Sequence, residues 1–383
     1  MNEIIIDITR LLNRHKKRRL PTGIDRVGIE YIKYFALRSK ALVRYSDRSF
    51  VFDNTISQKI FSCLIDPLND YNYFWPLLKA RFFSKFCHNK NLSNSIIFNT
   101  GHSGLESSGY IEEIKNLSGK PFFFLHDLIP LHYPEYCRPK ENVKHEMRLR
   151  NALNLSQGII VNSESTRNDL VEYANQAGLK IPPLLIASLA PTKLPSPIKK
   201  SPILGPYFVI LGTIEPRKNH MILLLIWRKL FANFGDKTPK LIIIGQRGWG
   251  CENVVDLLDR CEILKNLVIE LPRCSDLDIA TYLCFSRALL FPSFAEGFGL
   301  PLLEAMICKV PVIASDLSVF REIAQDIPDY IDVTDATKWL RIIEDYCNDD
   351  SRLRNEQLAR CENFVAPTWE SHFLLVENFI LPT

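Results

Sequence analysis

The sequence contains no apolar run close to the ~20 residues that a membrane-spanning helix needs. It also lacks any C-x-x-C pair and any His–Cys grouping with the spacing of a zinc site, although it has ten cysteines. Its formal net charge is only +4 over 383 residues, which is too small for a general nucleic-acid-binding surface. We therefore expect a globular protein with no zinc site, no membrane span and no nucleic-acid partner.

The N-terminal segment "MNEIIIDITRLL" does not have the pattern of a signal peptide. Several cysteines lie inside apolar runs such as "TYLCF" and "AMICKV", where a thiol serves as a small core residue. Both features favour reduced cysteines and a cytoplasmic location.

Short apolar runs alternate with helix-length segments along the whole chain. Most of the runs lack period-two alternation, which is typical of strands buried on both faces of a parallel sheet. Strands separated by helices predict βαβ units and hence an α/β fold. The predicted strands are residues 4–7, 41–45, 95–99, 121–126, 158–162, 184–187, 207–212, 240–245, 266–270, 288–292 and 311–315.

The segment "APTKLPSPIKKSPILGP" (190–206) contains five prolines, which predict a linker without helix or central strand. The chain would then form a first doubly wound, Rossmann-like domain over residues 1–195 and a second over residues 196–366. A final helix within residues 367–383 would pack back on the first domain, with Trp369 as a packing anchor. Two such domains are expected to face each other across a cleft at the carboxyl edges of their sheets, where ligands bind.

The turn "GTIEPRKNH", which begins at Gly212, follows a predicted strand and precedes an apolar, helix-like run. Arg217 and Lys218 therefore stand at a helix start, where the helix dipole disfavours positive charge. This local conflict suggests that the two cations bind a phosphate or a diphosphate. The alternative is a solvated basic turn.

The stretch "FPSFAEGFGLPLLEA" (291–305) places glycines between a predicted strand and a predicted helix, where backbone N–H groups favour an anion. Glu296 and Glu304 flank these glycines. On one helix the two acids would lie about 12 Å apart, beyond the roughly 5–9.5 Å of glycosidase carboxylates. We therefore expect Glu296 near a sugar hydroxyl and Glu304 near a ribose; the alternative is a capping or surface glutamate.

The spacing Asp276-x-Asp278 in "SDLD" also occurs in metal-dependent sugar transferases. Here it opens a helix-like run, and Ser275 or Asp276 is a good N-cap residue. We interpret these aspartates as part of a helix cap, and no metal site is predicted.

Three segments, "GTIEPRKNH", residues 275–306 and "VPVIASDLSVFREIA", together resemble the C-terminal domain of family-4 glycosyltransferases, which are retaining enzymes with the GT-B fold. The resemblance continues through "FLHDLIPLHYPEY" (124–136) and "IIVNSESTRNDL" (159–170). The segment "PTGIDRV" (21–27) is similar to the mannosyltransferases of bacterial O-antigen assembly. Lys309 departs from the family pattern, because glycine is usual at that position.

For the second domain, the resemblance implies that Arg217 and Lys218 hold the donor diphosphate. It implies that Glu296 contacts the donor sugar and Glu304 the ribose. The remaining donor-binding positions are Gly212 and the backbone amides of Phe298, Gly299 and Leu300.

For the first domain, the resemblance implies that His126 reaches the transferred sugar and that Asp127 orients it or supports the structure. Gly23 lies in a loop that closes over the diphosphate in such enzymes. The segment "NTGHSGLESSGY" (99–110) supplies Gly101 and His102, which we expect in a loop that touches donor or acceptor.

The implied reaction moves a hexose from a nucleotide diphosphate sugar to a glycan or lipid-linked glycan, with retained configuration and without metal or cofactor. Mannose is favoured; rhamnose, glucose and N-acetylhexosamine stay open. A sugar-nucleotide epimerase of the same fold and a non-catalytic glycan- or lipid-binding subunit are the alternatives.

Two stretches suggest an anionic membrane surface as a partner. "RHKKRR" (14–19) is strongly basic, and "YFWPLLKARFFSKF" (73–86) combines aromatic and basic residues. The second stretch is equally typical of a core helix with one solvated face. The membrane hypothesis places the protein at the inner face of the cytoplasmic membrane.

Overall fold

The computed structural model describes residues 3–45, 48–66, 92 and 95–381. The stretch 73–86 therefore lies outside the described residues. The chain divides into two compact units: the first comprises residues 1–128, 142–189 and 369–383, and the second comprises residues 129–141 and 190–368.

The first unit contains a sheet of seven described strands in the order β3-β2-β1-β4-β5-β6-β7. All pairings are parallel except β2 with β3. The strands β1, β4 and β6 are buried along their whole length, as their unbroken apolar sequences require. The strands are β1 (Ile4–Asp7), β2 (Ser39–Tyr45), β3 (Arg48–Val51), β4 (Ile96–Asn99), β5 (Lys120–Leu125), β6 (Gly158–Val161) and β7 (Leu184–Ile186).

Helices connect these strands and cover the sheet. The last helix of the chain, Trp369–Ile380, belongs to this unit, and its His372 ring bridges the Ser188 carbonyl at 3.0 Å and the Tyr31 hydroxyl at 3.1 Å. The other helices are Thr9–Lys16, Gly23–Phe35, Asn54–Ile65, Ser108–Leu117, Glu141–Leu155 and Glu164–Gln176.

The second unit contains a sheet of six described strands, all parallel, in the order β10-β9-β8-β11-β12-β13. Its core packs Phe208, Trp227 and Trp339 between the sheet and its helices. The strands are β8 (Tyr207–Leu211), β9 (Lys240–Ile244), β10 (Val268–Leu271), β11 (Leu289–Phe291), β12 (Val312–Ser315) and β13 (Asp329–Ile331).

The helices of the second unit follow the same doubly wound pattern. One of them, Ile129–His132, comes before residues 142–189 of the first unit in sequence but clusters with the second unit in space. The predicted first domain, residues 1–195, had included this helix. The others are His220–Phe234, Glu252–Arg260, Glu262–Lys265, Asp276–Cys284, Leu300–Ile307, Ser318–Ala324, Ala336–Tyr346 and Arg352–Glu362.

The predicted α/β fold is confirmed, and each predicted apolar run overlaps a strand. Residues 190–206 contain neither helix nor strand, as their prolines predict. The prediction missed β3 and β13, which are short edge strands with few apolar residues. Within the described ranges, no helix has both the length and the hydropathy to cross a bilayer.

Candidate functional site

The candidate site of the second unit is built from two loops at the carboxyl edge of its sheet. The loop after β8 carries Arg217 and Lys218, and the loop after β11 carries Glu296. The two oxygens of the Glu296 carboxylate accept from Arg217 Nη1 at 2.6 Å and from Lys218 Nζ at 2.5 Å. The structure therefore brings together three of the predicted catalytic residues.

The cations have further partners that the sequence analysis missed. Glu215 holds the Arg217 guanidinium at 2.8 Å. Arg217 also donates to the Ala295 carbonyl at 2.7 Å, and its own carbonyl accepts from the Phe294 N–H at 2.8 Å. These contacts tie the two loops into one rigid element. The signal in the sequence is the acid two positions before the arginine, in "EPRK".

The charges of the cluster are strongly coupled. Burial of Glu296 acts to raise the pKa of its carboxyl, but Arg217 and Lys218 outweigh burial and lower that pKa to about 2. Burial lowers the pKa of the Lys218 ammonium, and the Glu296 carboxylate opposes this shift. Glu296 is therefore an anion at neutral pH. The two cations are paired with two acids, Glu215 and Glu296, whose side chains are 6% and 8% exposed.

The helix Leu300–Ile307 begins directly after this cluster. Its N-cap, Gly299, has φ +119°, and a Cβ there would lie 2.8 Å from the Phe320 ring. Only glycine fits this position, because both the backbone conformation and the space exclude a side chain. Pro301 has no N–H, and the Leu302 and Leu303 N–H groups donate to the Gly299 carbonyl, so the predicted anion site depends on the amides of Phe298, Gly299 and Leu300. Glu304 is buried one turn further along.

A second loop, "GQRGWG" (245–250), supports the one that begins at Gly212. The Gly212 N–H donates to the Ile244 carbonyl at 2.9 Å, and a Cβ on Gly245 would lie only 1.8 Å from the Gly212 oxygen. Gly212 itself has φ +140°. The close approach of the two backbones explains these glycines, which the sequence analysis did not single out beyond Gly212.

Asp276 and Asp278 lie at the start of a helix. Ser275 is the N-cap: its hydroxyl accepts from the Asp278 N–H at 3.1 Å, and the Asp278 carboxylate accepts from the Ser275 N–H at 2.9 Å. The predicted helix cap is confirmed as a capping box.

In the first unit, the structure brings His126 and His102 together after β5 and β4. The His126 N–H donates to His102 Nε2 at 2.8 Å, and His126 Nε2 donates to the Thr100 carbonyl at 2.7 Å. Burial lowers the pKa of His126 to about 4, and it lowers the pKa of His102 well below its ordinary value. Both imidazoles are therefore neutral at pH 7.

The loop that carries these histidines is held by amide and imidazole donors. Asn162 donates to the His126 carbonyl at 2.9 Å, and His145 donates to the Asp127 carbonyl at 3.0 Å. Asp127 thus has a backbone role in fixing the loop beside His126.

Gly23 and Gly101 lie around the N-terminal helices. Gly23 is the first residue of the helix Gly23–Phe35, whose Thr22 cap is completed by Asp25. Asp25 also pairs with Arg10 at 2.8 Å, and a Cβ on Gly101 would lie 2.9 Å from the Arg10 side chain. A pocket of about 410 Å³ opens beside Arg10, and its lining combines three arginines, three hydroxyl residues, one amide and one acid: Arg10, Arg14, Arg44, Thr9, Ser103, Ser107, Asn13 and Glu106.

Comparison with known proteins shows which family and which relatives this chain resembles. Residues 198–362 match the family described as "Glycosyl transferases group 1". The chain is 30% identical over 273 residues to the serotype-specific mannosyltransferase WbdA of Escherichia coli, which covers 67% of this chain and 33% of WbdA. It is 31% identical over 209 residues to the O-antigen chain mannosyltransferase B of Escherichia coli, which covers 52% of this chain and 54% of that protein.

The chain thus spans about a third of the length of WbdA. Among solved structures, HepE of Anabaena in complex with UDP-glucose matches with a TM-score of 0.68 at 15% identity, over 98% of this chain and 99% of HepE. This likeness shows the fold. The chain carries a domain of the glycosyl transferases group 1 on a GT-B fold, and the relatives that it resembles are mannosyltransferases.

Proposed function

We propose that the protein is a retaining glycosyltransferase that moves a hexose from a nucleotide diphosphate sugar to a hydroxyl of a growing, lipid-linked bacterial surface glycan. The observation that carries the proposal is the buried cluster of Arg217, Lys218 and Glu296 beside the start of the helix Leu300–Ile307. The names of the relatives favour mannose as the hexose. Rhamnose, glucose and N-acetylhexosamine are the other donors to test.

In the proposed reaction, the bond between the anomeric carbon and the diphosphate oxygen breaks, and negative charge develops on the diphosphate. Arg217, Lys218 and the helix amides would stabilise that charge by electrostatic preorganisation, so that no metal ion or cofactor is required. The ionised Glu296 would contact the donor sugar, whose ring gains positive character as the bond breaks. Glu304 would accept hydrogen bonds from the ribose.

The acceptor hydroxyl would attack on the face that the diphosphate leaves. Its oxygen bonds to the anomeric carbon, and its proton passes to the departing phosphate oxygen, so the configuration is retained. Because His126 Nε2 donates to a carbonyl, its neutral ring keeps Nδ1 as the acceptor for a sugar hydroxyl. We propose that role for His126, and donor or acceptor contacts for Gly23, at the start of its helix, and for the loop of Gly101 and His102.

We also propose a peripheral position on an anionic membrane surface, supported by the basic stretch 14–19. Residues 16–19, "KKRR", are all exposed, and the adjacent Leu20 is 47% exposed. Flotation with vesicles that contain an anionic lipid tests this point. Recovery of the protein with vesicles of neutral lipid to the same extent would contradict the electrostatic account.

The central experiment incubates the purified protein with GDP-mannose and octyl α-mannoside, and reads the new linkage by NMR. We expect an α-linked product, formed at an unchanged rate in EDTA. A β-linked product would contradict retention, and loss of activity in EDTA would contradict metal independence. Parallel reactions with UDP-glucose, UDP-N-acetylglucosamine and dTDP-rhamnose identify the sugar.

A further inference from the structure

A row of three aromatic rings lies on the second unit. The Tyr136 ring stacks on the Phe294 ring with 4.9 Å between centroids and 15° between planes. The Tyr133 ring continues the row, 6.1 Å from Tyr136 and inclined by 20°. Tyr133 and Tyr136 belong to the segment 129–141 of this unit, and Phe294 belongs to the loop after β11.

The row begins at the candidate donor site. Phe294 donates its N–H to the Arg217 carbonyl and stands two residues before Glu296, which pairs with Arg217. The other end of the row is open, because Tyr133 remains 40% exposed. The three rings therefore run from the charged cluster toward solvent.

Polar groups accompany the rings. The guanidinium of Arg138, two residues after Tyr136, lies 4.8 Å from the centre of the Trp249 ring. The Trp249 indole N–H is buried and has no hydrogen-bond partner among the described residues. Trp249 lies on the loop 245–250 that supports the donor loop. The contact of Arg138 with Trp249 therefore ties the segment 129–141 to the loop 245–250.

We propose that the row of Tyr133, Tyr136 and Phe294 is a subsite that binds a pyranose ring of the glycan acceptor; this inference rests on the proposed transferase function. A pyranose has an apolar face of C–H groups and a rim of hydroxyls. Flat aromatic rings match that face, and tyrosine hydroxyls and arginine N–H groups match the rim. Anchoring of the segment 129–141 explains the stacked Tyr136 and Phe294. It does not explain Tyr133, which ends the row and remains 40% exposed.

The test uses Tyr133→Ala and Tyr133→Phe with α-mannotriose as the probe. Saturation-transfer NMR measures whether the ring C–H protons of the sugar receive magnetisation from the protein. We expect a clear signal with the native protein and with Tyr133→Phe, and its loss with Tyr133→Ala. In transfer assays with an octyl α-mannotrioside, we expect Tyr133→Ala to raise the acceptor KM about tenfold at unchanged donor KM.

A matched control is Tyr34→Ala. Tyr34 is 41% exposed and stacks on Phe373 at 4.1 Å, but it lies in the first unit. We expect it to leave the sugar signal and the acceptor KM unchanged. An equal sugar signal for native protein and Tyr133→Ala at equal Tm overturns the proposal, as does a rise in donor KM alone, which indicates stacking on a nucleobase. Nucleotide-sugar titration separately reports the donor site, so failure of the proposed function is distinguishable.

Discussion

The Glu296 carboxylate lies 2.5 Å from the Lys218 ammonium, and both side chains are at most 10% exposed. Arg217 donates to the other oxygen of the same carboxylate. A diphosphate that binds these cations must therefore share them with an internal anion. This arrangement links the stability of the second unit to its proposed chemistry, since any change of Glu296 alters both.

Replacing Glu296 by Gln should lower both stability and activity. The amide keeps the shape of the side chain, but Arg217 and Lys218 lose the charge that offsets their burial. We expect a loss of ~1–3 kcal/mol in the free energy of unfolding and a ~10²-fold or greater decrease in kcat. Urea denaturation and transfer kinetics measure these two effects. Glu356→Gln, which removes an exposed pair with Arg352, is the control and should change neither. Native-like kcat in Glu296→Gln would contradict the role of the carboxylate.

Stability should fall as the pH decreases from about 6.5 toward 4. Burial lowers the pKa of His372 from 6.5 to about 4, so the unfolded chain binds a proton that the folded protein excludes. The contribution of His372 to the free energy of unfolding is complete above pH 6.5. It falls by roughly 1.4 kcal/mol per pH unit until the pH reaches the pKa of His372 in the folded protein. Urea denaturation across this range should show a smaller slope for His372→Gln than for the native protein. Identical slopes would show that His372 is not the group excluded from protonation.

Gly299→Ala should weaken donor binding and destabilise the second unit. The new Cβ would meet Phe320 at 2.8 Å and would adopt φ +119°. We expect a cost of ~2–4 kcal/mol from strain and displacement together. Gly205→Ala separates the two causes, because Gly205 has φ +80° but no atom within 4 Å of the added Cβ. Equal Tm shifts for the two variants would mean that contact with Phe320 carries no cost.

Lys309→Gly should stabilise the protein. Lys309 has φ +55° just after the helix Leu300–Ile307, at the position where the family resemblance expects glycine. Removing the side chain relieves a conformational cost of ~1 kcal/mol. Differential scanning calorimetry should show a higher Tm, whereas Lys309→Ala, which keeps the Cβ, should show little change. A lower Tm for the glycine variant would mean that the Lys309 side chain makes a contact worth more than the strain.

The sequence predicted the sheets well because their strands are buried on both faces and read as unbroken apolar runs. The edge strands Arg48–Val51 and Asp329–Ile331 carry no such signal, since each is at most four residues long and begins with a charged residue. The helix cap at Ser275 was predictable because capping depends on residues three positions apart. Local chemistry of this kind is readable from a single sequence.

Long-range contacts were less accessible. Arg217 and Lys218 conflicted with their helix start, and that conflict was a usable signal. The pairing of Lys218 with Glu296, 78 positions away, required the fold. The acid in "EPRK" was a signal for a local pair with Arg217, but the burial of Glu215 against the guanidinium required the fold. The stack of Tyr136 on Phe294 is equally invisible, because the segment 129–141 clusters with the second unit and not with its neighbours in sequence.

The most direct test of the account is calorimetric titration of the purified protein with GDP-mannose, GDP, and the corresponding uridine and thymidine compounds. We predict saturable binding of one nucleotide series that is unchanged in EDTA. We predict that this binding is lost in Arg217→Ala and in Glu304→Ala, with circular dichroism confirming that both variants are folded. Two results would contradict the assignment of the donor site to Arg217, Lys218, Glu296 and Glu304. One is that no nucleotide binds, and the other is that both variants bind as tightly as the native protein.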